Sequence, residues 1–267
     1  MTLRVGVFGA GGRMGSTVCR AVADDPDLEL VAAVDPHHAG IDLRQVAGLD
    51  SDLAIVPDAS GLQAADAQVA VDFTRIDAAR VNLAWCADHG VHAVVGTSGF
   101  TDADLARFRQ AFVASNCLIA PNFAIGAVLM MRFAELAAPW FETAEIIELH
   151  HDSKIDAPSG TAIATAERMA AASADWAPDP TTEAVVPGAR GASGPAGIPI
   201  HSVRLRGLVA HQQVQLGTTG QTLTLRHDSY DRSSFMPGVL LAVKEIGSRP
   251  GLTMGLDSLL DPPSVPD

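Results

Sequence analysis

The sequence predicts an α/β protein in two parts. The first is a Rossmann-type parallel sheet; the second is smaller, with a more open sheet. Three observations carry this. Short apolar runs alternate with helical stretches through roughly the first 120 of 267 residues. A glycine-rich loop joins the first apolar run to the first helix. After Asn122 the alternation gives way to a long apolar helix, a polar loop and three alternating strands. Strands that alternate with helices form a parallel sheet covered on both faces. A chain of this length is also long enough for two domains.

Taken in order, Leu3 to Phe8 (LRVGVF) reads as a buried strand that enters Gly9-Ala10-Gly11-Gly12-Arg13-Met14-Gly15 and then a helix, Ser16 to Ala23. Leu28 to Val34 is a second strand ending at Asp35. Val69 to Phe73, Val91 to Val95 and Cys117 to Ala120 are further short strands, with helices at Asp77 to His89 and Asp102 to Ala114. Ile125 to Pro139 is a long apolar helix. Ala144 to Leu149 is a strand rich in Ile, and Ala162 to Ala172 an Ala-rich helix. Residues 178–199 are dense in Pro, Gly, Ala and Thr and read as a long, mobile excursion. Ile200 to Arg206, Val209 to Leu216 and Gln221 to His227 alternate apolar with polar residues, the pattern of a sheet with one open face. Ser234 to Ile246 returns to a helix. The tail, Asp261 to Asp267, holds three prolines and is expected to be poorly ordered.

Composition narrows the function classes. The chain is 48% apolar and 18% charged, ordinary for a globular protein, with no apolar run of membrane-spanning length and no signal-peptide pattern. Cytoplasm is therefore the expected compartment. Cys19, Cys86 and Cys117 have no paired spacing and read as inert core thiols, and no Cys/His set has zinc spacing, so no metal is expected. A net charge of −13 argues against nucleic acid as a partner.

The glycine loop stands where a dinucleotide fingerprint has meaning, after a strand and before a helix. Its glycines permit a tight turn and the close approach of a pyrophosphate to the helix N-terminus. Met14 stands where a strict G-x-G-x-x-G would have its third glycine, and Gly15 follows. Asp35, 20 positions after Gly15, ends the next strand where a carboxylate would bind ribose hydroxyls. A carboxylate there repels a 2′-phosphate, so NADH is expected over NADPH. Arg13, or a protonated His37, is the group that would accommodate the phosphate, which leaves dual use open. Gly96, Thr97 and Ser98, and Ala120, Pro121, Asn122 and Phe123, end later strands on the side where ligands bind in parallel sheets.

The densest chemistry lies in Glu148 to Ala162 (ELHHDSKIDAPSGTA). Two histidines, a lysine and a helix start fall within a dozen residues. Each His alone would be an ordinary hydrogen-bonded side chain, and Lys154 alone a solvated charge. Yet lysine occurs only at 154 and 244, against 16 arginines. Lys can give up a proton where Arg cannot. A helix start also offers backbone N–H groups to an anion. The cluster suits a small acid that needs a proton. In an extended strand His150 and His151 would point to opposite faces, so a shared ligand requires the strand to break at or just before them.

These motifs, GAGGRMG, Asp72-Phe73-Thr74, Gly96 to Phe100 (GTSGF), Ala120 to Gly126 (APNFAIG), Glu148 to Ala162 and Phe235 to Gly238 (FMPG), come in the order found in the 4-hydroxy-tetrahydrodipicolinate (dihydrodipicolinate) reductase family. The chain resembles that family over nearly its whole length. The resemblance implies a Rossmann-type domain over 1–123 plus 234–267. It also implies a smaller α+β domain with an open mixed sheet over 124–233, through which a homotetramer forms. It implies NAD(P)H-dependent reduction of the cyclic hydroxylated substrate to tetrahydrodipicolinate, with release of water, on the diaminopimelate route to lysine. By the same resemblance His150 is a proton donor/acceptor and Lys154 a proton donor, while His151, Gly160 and Thr161 bind substrate carboxylates. Gly9 to Met14, Asp35, Gly96 to Ser98 and Ala120 to Phe123 bind the cofactor. Ser98 replaces a threonine common in the family, and Asp35 is followed by Pro36 where other members have arginine.

Two other readings fit parts of this pattern: a different Rossmann-type dehydrogenase, such as an aspartate or semialdehyde dehydrogenase, and a non-catalytic regulator. A covalent semialdehyde dehydrogenase would need a cysteine nucleophile beside a histidine, which none of the three cysteines suits. A non-catalytic NADH-sensing regulator would have no use for the His150-His151-Lys154 cluster.

Overall fold

The computed structural model describes residues 2–261. The Pro-rich tail beyond Asp261 lies outside the described residues. The chain divides into two units: residues up to Phe123 with those from Phe235 onward, and residues Ala124 to Ser234.

The first unit is a six-stranded parallel sheet. Its strands are β1 (Leu3–Phe8), β2 (Leu28–Val34), β3 (Val69–Asp72), β4 (His92–Val95), β5 (Cys117–Ile119) and, after the second unit, β11 (Leu252–Met254). The order is β11-β5-β4-β3-β1-β2. Helices α1 (Arg13–Asp24), α2 (Leu43–Ala47), α3 (Ser60–Ala64), α4 (Ile76–Asp88) and α5 (Asp102–Ala111) lie between the early strands, and α8 (Met236–Glu245) precedes β11. One core joins the sheet to α3, α4 and α5 through Leu62, Leu83, Cys86, Phe108 and Phe112. Helices α1 and α8 pack together elsewhere in the unit, and Lys244 of α8 bonds Asp25 at 2.9 Å and Asp27 at 2.8 Å. The central strands β3, β4 and β5 are buried almost throughout, which is why they read as short continuous apolar runs.

The second unit contains α6 (Ile125–Ala137), β6 (Thr143–His150), α7 (Gly160–Ala172), β7 (Ala192–Ser193), β8 (Pro199–Arg204), β9 (Ala210–Thr218) and β10 (Gln221–Ser229). Its mixed sheet has the order β10-β9-β6-β8-β7, with β6 parallel to β8 and antiparallel to β9. Alternate residues of the sheet, including Ala144, Ile146, Val214, Leu216 and Ile200, pack against α6 and α7. The other parity is more open: Glu145, Ile147 and Leu149 of β6 are only half-buried.

The helix expected to run to Pro139 ends at Ala137 and tightens into a 3₁₀ turn over Ala138–Trp140, because proline cannot continue an α-helix. The excursion at 178–199 is tied down at its end, where β7 pairs with β8 and Arg190 bonds both Glu145 and Asp179. Among the described residues no helix is long and apolar enough to cross a membrane.

Candidate active site

Two strand–loop–helix turns hold most of the residues singled out in the sequence. The first joins β1 to α1. Gly9 takes φ +68°, a left-handed conformation that side chains resist. Gly12 N–H then returns to the Gly9 carbonyl at 2.9 Å. A Cβ on Gly15 would sit 1.9 Å from that same carbonyl oxygen, so only glycine fits. This accounts for the departure from the strict fingerprint: the close approach falls at Gly15, and Met14 is free to carry a side chain. Gly12 caps α1 with no side chain on the helix N–H groups.

Asp35, 6% exposed, faces this turn. Its carboxylate accepts from Gly11 N–H at 3.1 Å and from His37 N–H at 2.9 Å. His38 Nδ1 lies 3.1 Å from Asp35 Oδ2 but without the angle of a hydrogen bond. A cavity of about 940 Å³ opens here, lined by Gly9, Gly12, Asp35, His37, His38 and Arg75 among others. A bare turn, an uncapped helix start and a carboxylate around a cavity of this size fit the phosphates and ribose of a dinucleotide.

Thr97 Oγ1 donates to the Thr74 carbonyl at 2.8 Å, and buried Asp72 accepts from Thr74 N–H and Oγ1, each at 2.7 Å, and from Asn82 at 2.7 Å. Burial pushes the Asp72 carboxyl above its ordinary range despite these bonds. A Cβ on Gly96 would strike the Phe73 ring at 2.0 Å, and Phe73 packs on Phe123 at 5.6 Å. Ala120 and Phe123 are buried at 0% and 1% exposure, which leaves backbone rather than side chain for a ligand there. Gly96, Thr97, Ser98 and the Ala120 to Phe123 segment lie outside the lining of the 940 Å³ cavity.

The second turn joins β6 to α7. The ladder with β8 and β9 runs through His150, and His151 stands outside it. His150 is thus the last residue of the strand and His151 the first beyond it, its N–H still bonding the Val209 carbonyl at 3.4 Å. His150 is half-buried and its Nδ1 lies 2.5 Å from Glu148 Oε2. Burial lowers the His150 pKa below its ordinary value against the pull of Glu148, and the charges of Lys154 and Arg204 lower it further. His151 is exposed and its Nδ1 meets Ser153 Oγ at 2.8 Å. Lys154 Nζ donates to both carboxylate oxygens of Asp156, at 2.8 and 2.7 Å. Ser159 Oγ caps α7 by accepting from Ala162 N–H at 3.2 Å, and Gly160 and Thr161 open the helix. Beside Gly160 a Cβ would meet nothing within 4 Å.

The sequence reading missed the groups that tie this turn together. Glu148, 0% exposed, takes Arg204 Nη1 and Nη2, each at 2.8 Å, and Ser159 N–H at 3.2 Å. Arg204 Nη2 also donates to the Asp156 carbonyl at 2.6 Å. The network joins His150, the Lys154 loop and the start of α7; His151 has no part in it. Arg75, in the other unit, was missed as a cavity-lining cation.

Comparison with known proteins agrees with this architecture. Residues 3–123 match the family model "Dihydrodipicolinate reductase, N-terminus", and residues 126–260 match "Dihydrodipicolinate reductase, C-terminus". The chain is 52% identical over 268 residues to a 4-hydroxy-tetrahydrodipicolinate reductase of Nocardia farcinica, covering 98% of this chain and 100% of that one. It is 50% identical to one from Streptomyces coelicolor, covering 97% and 98%. A solved structure of dipicolinate-bound dihydrodipicolinate reductase from Paenisporosarcina sp. TG-14 superposes with a TM-score of 0.85 at 41% identity, covering 97% of this chain and 100% of that one. The chain belongs to the dihydrodipicolinate reductase family, oxidoreductases that act in lysine biosynthesis by reducing 4-hydroxy-tetrahydrodipicolinate.

Proposed function

We propose that the two units divide the work of one NAD(P)H-dependent reduction. The first unit holds the nucleotide on Gly9 to Met14, Asp35, Gly96 to Ser98 and the backbone of Ala120 to Phe123. The second holds a small dicarboxylate on His151, Gly160 and Thr161. Dipicolinate, the ligand of the Paenisporosarcina relative, is a dicarboxylate of this class. When bound, the nicotinamide supplies a hydride. The substrate's hydroxyl leaves with a ring hydrogen as water, and the reduced ring takes a proton at an electron-rich carbon, which Lys154 Nζ donates. His150 exchanges a proton at the same site through the ring nitrogen that Glu148 leaves free. The observation that carries this reading is the convergence of His150 and the Lys154 loop on one buried carboxylate beside a helix start.

Asp35 supports a preference for NADH. A buried carboxylate already held by two backbone N–H groups cannot turn away from an incoming 2′-phosphate. Arg75 borders the same cavity, beside His37 and His38, and is the cation that NADPH would use; Arg13 does not line it. The half-exposed parity of the second sheet supports a homotetramer assembled through it. The three cysteines are buried, with burial pushing Cys19 up to about 12, as suits thiols in a reducing cytoplasm.

A coupled assay tests the core of this reading. Pyruvate and aspartate semialdehyde are supplied with the preceding synthase, and oxidation of NADH and NADPH is followed in parallel. Synthase-dependent oxidation, faster per unit concentration with NADH, is the expected result. A higher kcat/KM with NADPH overturns the assignment to Asp35. No oxidation with either cofactor, in protein that binds NADH, removes the catalytic reading altogether.

A further inference from the structure

We propose that Glu148 is a positioning residue for the reaction: it never touches substrate, but it fixes the ring of His150, the start of α7 and, through Arg204, the loop that carries Lys154. This rests on the reading that His150 and Lys154 move protons.

Glu148 shares the core-facing parity of β6 with Ala144 and Ile146, yet it is ionisable and 0% exposed. A carboxylate without water needs its lone pairs filled by the protein. Both oxygens are filled twice. Oε2 receives His150 Nδ1 at 2.5 Å and Arg204 Nη1 at 2.8 Å; Oε1 receives Arg204 Nη2 at 2.8 Å and Ser159 N–H at 3.2 Å. Burial alone would raise the Glu148 pKa, but the bonds from Arg204 and His150 outweigh it and hold the carboxyl below its ordinary range.

An ionised carboxylate only accepts hydrogen bonds, so Nδ1 of His150 must carry the ring proton. Nε2 of the neutral ring is then the nitrogen left to exchange a proton with a ligand. The register of the parallel pair β6–β8 sets Arg204 opposite His150, within reach of both Glu148 and the Asp156 carbonyl. Asp156 in turn holds Lys154. One buried ion pair thus sets the tautomer of one proton-transfer group and the loop position of the other. Its bond to Ser159 N–H ties both to the helix start that would take a substrate carboxylate.

Imidazole 1H–15N spectra of the full protein test this directly, with the His150 signals assigned by their loss in His150→Asn. His150 in the Nδ1–H tautomer, with a far-downfield Nδ1 proton, is the expected result, read in the wild-type protein with Glu148 in place. An Nε2–H tautomer in the wild-type protein overturns the positioning role. In Glu148→Gln, kcat should fall on the order of 100-fold, as for a displaced catalytic group. KM for the nucleotide should be unchanged, and the acid limb of the kcat/KM profile should move to lower pH as the carboxylate's support of His150 protonation is lost. Glu148→Gln/Arg204→Met removes both charges and should reproduce the kinetic loss without a charge left buried alone. A folded single or double variant with wild-type kcat and an unmoved profile overturns the proposal. Full turnover in His150→Asn would instead remove the reading on which it rests, a result the tautomer measurement cannot produce.

Discussion

The turn from β1 into α1 and the turn from β6 into α7 both deliver a strand end to a helix start, but from opposite materials. The first is nearly all backbone: Gly12 caps α1 with no side-chain bond, and Gly9 and Gly15 approach as only glycines can. The second is mostly side chain: Ser159 caps α7, Glu148 takes four donors, three of them from side chains, and Arg204, Asp156 and Lys154 are chained behind it. A bare turn leaves N–H groups for a ligand that is itself the anion and needs only to be held. A turn dense in titratable groups suits a ligand whose protonation must change. The contrast supports the proposal that the first turn holds the nucleotide and the second moves protons, and it can be broken one residue at a time.

The largest expected effect is on turnover. Lys154→Ala should lower kcat by about 10²- to 10⁴-fold, the range for loss of a positioned proton donor. Its unfolding midpoint should stay near wild type, because among the described residues the side chain's bonds are to exposed Asp156. Near-normal turnover removes Lys154 from the mechanism. Gly15→Ala tests the other turn and should act on stability. The new Cβ would lie 1.9 Å from the Gly9 carbonyl oxygen and 2.6 Å from its carbon, and backbone cannot swing aside as a side-chain tip can. A loss of about 3 kcal/mol, at the upper end for overpacking, is expected in urea unfolding together with weaker nucleotide binding. A loss under about 1 kcal/mol would mean the turn is not closed around Gly15.

The two turns also differed in how far they could be read from sequence. The first was legible because its information is local: an apolar run, glycines at fixed offsets, and Asp35 at the next strand end. In the second, His150, Lys154 and the Ser159 start stood out, but the residues that organise them did not. Arg204 lies 56 positions from Glu148 and meets it through the β6–β8 register, which no local pattern reveals. Glu148 did leave a signal. It falls on the same parity as Ala144 and Ile146, and an ionisable residue on a core-facing parity needs a buried partner. Elsewhere, five-residue α2 and α3 and three-residue β11 escaped because they are too short for a period to appear; β11 exists by virtue of its pairing with β5. Gly96 and Phe123 could be placed at strand ends, but their packing on Phe73 is a tertiary fact.

Acid should act in part through the side-chain turn. The folded His150 pKa is depressed below the ordinary value near 6.5, first by burial. The stability linked to that neutral ring is therefore complete above about pH 6.5 and is lost as pH falls through the folded value. Glu148 and Asp156 are also held below their ordinary range, so their contribution goes at still lower pH, with the same sign. His92 and His227, each lowered by burial, add to the decline. Thermal unfolding at pH 7.5, 6.0 and 4.5 should give falling midpoints, with a shallower first step in His150→Asn. A midpoint that rises from pH 7.5 to 6.0 would reverse the sign for these histidines.

The smallest effect sharpens the comparison most. Ser159→Ala removes the hydroxyl that accepts from Ala162 N–H but keeps the backbone N–H that donates to Glu148. Loss of an N-cap costs about 1 kcal/mol. The variant should therefore unfold slightly earlier in urea while the His150 ring keeps its tautomer and turnover stays within a few-fold of wild type. Helix α1 has no such cap to lose, so no side-chain deletion at Gly12 has an equivalent. If Ser159→Ala instead abolished turnover at unchanged stability, the hydroxyl itself would belong to the ligand site. The second turn would then hold substrate through its cap as well as through the backbone of Gly160 and Thr161.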